Sequence, residues 1–152
     1  MKDFHYTDCG LDNIYLINGF EIIETKEGEE ILIHDINGLH KTIGMILISK
    51  PGMLSGQEIR FIRHTLDLSQ KALASIIGVD YQTILRWEKN ETPIRKTADR
   101  FIRAIFYCYV NKNGNTFEKI NEIADLDSNE STFSKVEKIK FEETAHEWRR
   151  SA

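Results

Sequence analysis

The sequence predicts an α+β protein: a small antiparallel β module at the N-terminus, a five-helix bundle after it, and a short C-terminal helix/strand extension. Three observations lead there. Short β-branched runs separated by turn signals fill residues 1–53. From Ser55 onward the apolar period changes from that of a strand to that of a helix. Near Val136 an alternation of charged and apolar residues returns. The chain accordingly divides into 1–53, 54–111 and 112–152.

In the first segment, strands are expected at Ile14-Tyr-Leu-Ile17, Phe20-Glu-Ile-Ile23, Ile31-Leu-Ile33 and Ile43-Gly-Met-Ile-Leu-Ile48. The turn signals between them are Asn18-Gly19, Glu27-Gly28 and Asn37-Gly38. Asn-Gly between two strand-like runs favours a tight hairpin, because both residues tolerate positive φ. Pro51-Gly52 then marks a junction.

The bundle opens on Ser55-Gly-Gln-Glu58, a capping box in which serine and glutamate satisfy backbone N–H groups reciprocally. Ile59, Phe61, Ile62 and Leu66 form an apolar stripe, with Arg60, Arg63 and His64 off it. Helices follow over Ser69–Ile77 and Asp80–Lys89, and from Pro93 to about Asn111. Pro93 suits a first helical turn, where its missing N–H costs nothing. Beyond Asn111-Lys-Asn-Gly-Asn115, an amphipathic helix is expected around Phe117, Ile120, Ile123 and Ala124, then a polar loop at 127–131 and a half-buried strand over Lys135–Thr144.

Composition narrows the function classes. An apolar fraction of 41% with 29% charged residues belongs to a folded domain, not to a disordered chain. No apolar run reaches the roughly 18 residues a membrane helix needs, and the start lacks an apolar secretory core, so a cytoplasmic protein is expected. Cys9 and Cys108 should be free thiols, and two cysteines do not close a structural zinc site. His5, His34, His40, His64 and His146 follow no ligand spacing, so neither metal nor cofactor is expected. Nucleophile elbow, phosphate loop and dinucleotide fingerprint are all missing, which argues against an enzyme. The net charge is −4, yet residues 58–103 hold nine Lys/Arg against six acids, a balance of +3 that leaves −7 for the rest. Phosphate binding follows the local field, so a basic centre with acidic flanks fits a nucleic-acid partner.

The segment Gln70 to Lys89 carries the most chemistry. Two short helices crossing around a tight turn need a small residue at the crossing, a residue tolerant of positive φ after the first helix, and apolar inner faces. Ala74 meets the first need and Gly78 the second, while Leu73, Ile77, Val79, Ile84 and Trp87 meet the third. Ser69 and Asp80 are placed to cap the two helices. Gln70 then sits at an N-terminus that favours a phosphate. The outer face of the second helix offers Tyr81, Gln82, Thr83 and Arg86. Arginine pairs with guanine edges and glutamine with adenine edges in the DNA major groove.

The run Leu68-Ser-Gln-Lys-Ala-Leu-Ala, with Gly78-Val and Arg86-Trp-Glu-Lys89 after it, resembles the Xre/Cro helix-turn-helix family. That resemblance implies a compact helical bundle over roughly 55–111 that binds a palindromic DNA operator as a homodimer. It implies Gln70 as a phosphate-positioning residue, Tyr81, Gln82 and Arg86 as contacts of the recognition helix, and Lys89 and Asn90 as backbone contacts. Asn90 stands where the family often has glycine and also tolerates a left-handed conformation. A β-rich module closing on Gly38-Leu39 ahead of such a bundle is similar to the MqsA-type antitoxins, whose N-terminal module holds zinc through two Cys-x-x-Cys pairs. Those pairs would fall on Tyr6–Cys9 and Lys41–Gly44, where only Cys9 is a cysteine, so zinc is not carried over.

Two function classes follow: a transcriptional regulator, expected to be a repressor, or an antitoxin that masks a toxin protein and represses its own operon. Two features stay open. Trp148-Arg149-Arg150 either anchors local packing or docks on another subunit or DNA, and the surplus of the Phe101, Ile102, Ile105, Phe106, Tyr109 stripe either closes the core or forms a dimer interface.

Overall fold

The computed structural model describes residues 2–111 and 137–152. In chain order the elements are β1 (Phe4–His5), β2 (Ile14–Leu16), β3 (Phe20–Thr25), β4 (Gly28–Ile33), α1 (Ile36–Ser49), α2 (Gly56–Thr65), α3 (Gln70–Ile77), α4 (Tyr81–Glu88), α5 (Lys96–Val110), β5 (Ile139–Glu143) and β6 (Trp148–Arg150). They form two compact units, one running to Thr42 and including the C-terminal strands, the other beginning at Ile43. Helix α1 crosses that boundary. The helix and loop expected over 117–131 lie outside the described residues.

In the first unit a four-stranded sheet has the order β1-β2-β5-β6. Its central pair is parallel, with Ile14 beside Ile139 and Leu16 beside Phe141; the outer pairs are antiparallel. Ile14, Leu16 and Phe141 are fully buried and make the sheet's core with Tyr6, Leu11, Leu39 and Trp148. Trp148 is a packing anchor: its indole Nε1 donates to the carbonyls of His34 and Asp35, both at 3.1 Å. The strand expected over Lys135–Thr144 is present as β5.

Strands β3 and β4 form a separate antiparallel hairpin. Its turn lies at Thr25–Gly28, as Glu27-Gly28 signals, and not at Asn18-Gly19. The Asn18-Gly19 reading is corrected because β2 and β3 belong to different sheets. Asn18 serves instead as a corner, its side-chain oxygen accepting from the backbone N–H of Glu143 at 2.6 Å.

A second correction concerns Ile43–Ile48, expected as a strand and found in the C-terminal half of α1. Leu39, Ile43 and Leu47 recur every fourth residue and are all buried, which is the period of a helix face. Asn37-Gly38, read as a turn, lies in the first turn of α1, where Gly38 N–H donates to the carboxylate of Asp35. A short β-branched run does not by itself distinguish a strand from a buried helix.

The second unit holds the end of α1 and helices α2–α5, so the bundle's fifth helix comes from before Pro51. Both bonds of the Ser55–Glu58 capping box are formed. Phe61, Ile62, Leu73, Ile84, Ile102 and Phe106 are buried at its core. Carbonyls just past the end of α1 are satisfied by a buried arginine. Arg103 donates to the carbonyls of Lys50 and Gly52, both at 2.6 Å, and its Nε lies 2.9 Å from Asp99. Asp99 also accepts from Leu54 N–H at 2.7 Å and pairs with Arg100. Burial, with the charge of Arg100 as a smaller cause, pushes the Arg103 guanidinium below its usual range, and Asp99 opposes that.

Candidate nucleic-acid interface

Helices α3 and α4 are each started and stopped by local chemistry. Ser69 caps α3, its hydroxyl accepting from Ala72 N–H at 3.0 Å. Asp80 caps α4 in the same way, accepting from Gln82 N–H at 2.8 Å. Between them Gly78 has φ +85°, and the N–H groups of Gly78 and Val79 both reach the carbonyl of Ala74, at 2.8 and 3.0 Å. A residue with a Cβ is strained at that φ, which is why glycine ends the first helix. Leu73, Ala74, Ile84 and Trp87 are buried, so the two helices share one apolar seam.

That seam decides what faces water. Tyr81, Gln82, Arg86 and Lys89 are exposed. Gln82 and Arg86 lie four residues apart and therefore on one face of α4. Thr83 shares its side of the helix with Trp87 and is half-buried. It lines an open groove of about 560 Å³ with Ile77, Val79, Trp87, Ala98 and Phe101. Of the side chains expected on the recognition face, Thr83 is thus the one turned toward α5.

Gln70, half-buried at the first position of α3, donates from Nε2 to Glu88 at 3.3 Å. Glu88 is held by Arg63 through two charge-assisted bonds, Nε to Oε2 at 2.7 Å and Nη2 to Oε1 at 2.9 Å. The third guanidinium nitrogen donates to the carbonyl of Leu68 at 3.0 Å. Only 9% of the Arg63 side chain and 4% of that of Glu88 meets solvent. Sequence periodicity placed Arg63 off the apolar stripe; it is instead a buried clamp joining α2, the α2–α3 turn and the end of α4.

Asn90 takes φ +57°, the left-handed conformation its residue type tolerates. Its side chain points back into the protein: Oδ1 accepts from Gly56 N–H at 2.8 Å and Nδ2 donates to Gln57 at 3.0 Å. Gly56 is required there, since a Cβ would lie 2.5 Å from the carbonyl oxygens of Trp87 and Glu88. Asn90 therefore fixes the end of α4 against the start of α2, while Lys89 beside it is exposed.

Sequence reading missed Lys71, whose ammonium lies 5.3 Å from the centre of the Tyr81 ring. This cation–π contact sets a positive charge beside the first turn of α4. The signal was its place next to Gln70 in the first turn of α3. His64, exposed on α2, is kept below the usual histidine pKa by partial burial and by the charges of Arg63 and Arg60.

Among the described residues no group of three His, Cys, Asp or Glu side chains is arranged to hold a metal. Cys9 and Cys108 are free, and burial pushes the Cys9 thiol up, away from the thiolate a metal needs. No described helix is long and apolar enough to cross a membrane.

Residues 59–101, which contain α3, α4 and their turn, match the family model described as Helix-turn-helix. The chain thus carries a DNA-binding helix-turn-helix domain of the Xre/Cro type, the type found in transcriptional regulators. No curated protein and no solved structure matches the chain.

Proposed function

We propose that the chain is a sequence-specific transcriptional repressor that binds a palindromic operator as a homodimer, one α4 entering the major groove at each half-site. The observation that carries this reading is the division of α4: Ile84 and Trp87 anchor it while Gln82 and Arg86 stand exposed together on the other side. Arg86 suits the two acceptors of guanine and Gln82 the acceptor and donor of adenine. Tyr81, with Lys71 against its ring, offers an apolar edge and a hydroxyl at the helix start. Gln70 and Lys89 flank the recognition helix and take the sugar–phosphate backbone. Asn90 acts through its grip on α2, and Thr83 through the groove it lines. Phe101, 44% exposed beside that groove, supports its use against a second copy.

Selection of bound duplexes from a random pool, at low and at near-physiological salt, tests the reading. A two-fold-symmetric consensus is expected, and Arg86→Ala should lose about 1–3 kcal/mol of discrimination at one base pair per half-site. Salt-sensitive binding without enrichment, or an Arg86→Ala variant with unchanged preference, would overturn it.

A further inference from the structure

The β3–β4 hairpin leaves every residue from Glu21 to Glu30 exposed. That includes Ile22 at 56% and Ile23 at 43%, with Leu32 at 49% just beyond. A two-stranded ribbon has no layer of its own to bury such side chains. The register sets Ile22 beside Ile31 on one face, with Ile23 and Leu32 on the other. The charge is as one-sided as the apolar surface is open: Glu21, Glu24, Glu27, Glu29 and Glu30 face only Lys26 over residues 20–33, a net −4. Glu24 and Glu29 are even direct cross-strand partners, an arrangement that weakens the pairing.

The backbone offers an edge. His34 N–H donates to Gly19 C=O, and antiparallel bonding alternates from there, so the N–H and C=O groups of Glu29 and Ile31 point away from β3. Along this side lies a groove of about 470 Å³ lined by Phe4, Asp8, Ile22, Glu29, Glu30 and Ile31.

We infer that this groove is a docking site for a cationic, extended segment of another protein, added as a strand to the outer edge of β4. Sign chooses the occupant. A second copy would bring five glutamates against five, the device by which edge strands avoid self-pairing. Nucleic acid carries the wrong charge. Added as a strand, a segment alternating basic and apolar residues completes the outward hydrogen bonds of β4, lays its apolar side chains over the face of Ile22 and Ile31, and sets its cations on the opposite face beside Glu30, within the negative field of Asp8 and Glu29.

A fluorescein-labelled peptide, Lys-Val-Lys-Ile-Lys-Val-Lys-Ile, titrated with the full chain by anisotropy is the test. Saturable binding is expected, with backbone amide shifts in the chain's ¹⁵N spectrum concentrated at residues 28–32. The double variant Glu29→Lys with Glu30→Lys should weaken binding at least tenfold. Ile22→Thr, which keeps strand propensity, should weaken it severalfold, and the glutamate version of the peptide should not bind. A proline-interrupted peptide should lose at least tenfold, because it lacks the donors a new strand needs. Absence of saturable binding, equal binding by the proline peptide, shifts located elsewhere, or self-association through the hairpin would each overturn the inference.

Discussion

Removing Arg63 should destabilise the whole DNA-binding unit, because the side chain leaves a charge behind it. Glu88 is 4% exposed and takes both of its close charge-assisted bonds from Arg63, with the amide of Gln70 at 3.3 Å as a third contact. Arg63→Ala therefore strands a buried carboxylate and frees the carbonyl of Leu68. Breaking one side of a buried pair costs about 3–5 kcal/mol. That is a large part of the roughly 5–15 kcal/mol that holds a domain folded. With a urea m-value of about 1–3 kcal/mol/M, the unfolding midpoint should fall by about 2 M. Circular dichroism through a urea titration reads this, and Glu88→Ala should lose a comparable amount. The paired replacement Arg63→Met with Glu88→Leu removes both charges at similar volume and should return to within about 1 kcal/mol of the parent. The single-variant losses should also change little with added salt, since buried pairs are poorly screened. A loss below about 1 kcal/mol for Arg63→Ala is the size of a surface ion pair and would refute the clamp.

Three further outcomes are expected. Asn90→Gly loses the two side-chain bonds to α2 but keeps a relaxed left-handed backbone, whereas Asn90→Ala loses both, so urea titration should place alanine about 1 kcal/mol or more below glycine. The Tyr6 hydroxyl and His40 Nε2 are hydrogen-bonded at 2.8 Å, and burial raises Tyr6 to about 12 while lowering His40. Stability should thus be lost as pH rises from about 10 toward 12 and, at the other end, as pH falls below about 6.5; Tyr6→Phe should reduce the alkaline loss and His40→Gln the acidic one, with Cys9 and His64 carrying the remainder. Lys89→Ala should weaken binding to all operators about equally and flatten the plot of log affinity against log salt by about one unit per protomer; a change confined to one sequence would instead make Lys89 a base contact.

What could be read from sequence was what is decided locally. Ser69, Gly78 and Asp80 each act within four residues of their own position, so the two helices and their turn were legible in one pass. The left-handed Asn90 was legible for the same reason, though its partners on α2 were not. Arg63 was misread because the residue that buries its charge lies 25 positions on, and no periodicity reveals a partner at that distance. Asn18-Gly19 was misread because β2 pairs with β1 before it and with β5, more than 120 residues away, and not with β3. The strand expected at 43–48 failed on period: its β-branched residues mask the four-residue spacing of Leu39, Ile43 and Leu47. Thr83 was grouped with Gln82 and Arg86 by nearness in sequence, although the helical turn puts it with Trp87.

The charge distribution bears on how the proposed repressor would find its site. Non-specific affinity for DNA is electrostatic and grows with the cations that neutralise phosphates. This chain offers few at the interface, Lys71 and Lys89 beside α3 and α4, and it carries −7 outside residues 58–103. As the proposed repressor, it would accordingly hold random DNA weakly and draw a larger share of its operator affinity from base contacts. In the proposed complex two side chains per half-site, Gln82 and Arg86, would supply those, each paired contact discriminating by about 1–3 kcal/mol. They can do so only while α4 is rigid, because a bidentate bond is lost to small rotations of the helix. The Arg63–Glu88 clamp, the Asn90 tie to Gly56 and the Trp87 anchor hold that one helix from three sides. A chain that gives up phosphate contacts depends on such rigidity, so variants of the clamp that remain folded should lose operator preference before they lose affinity for random DNA.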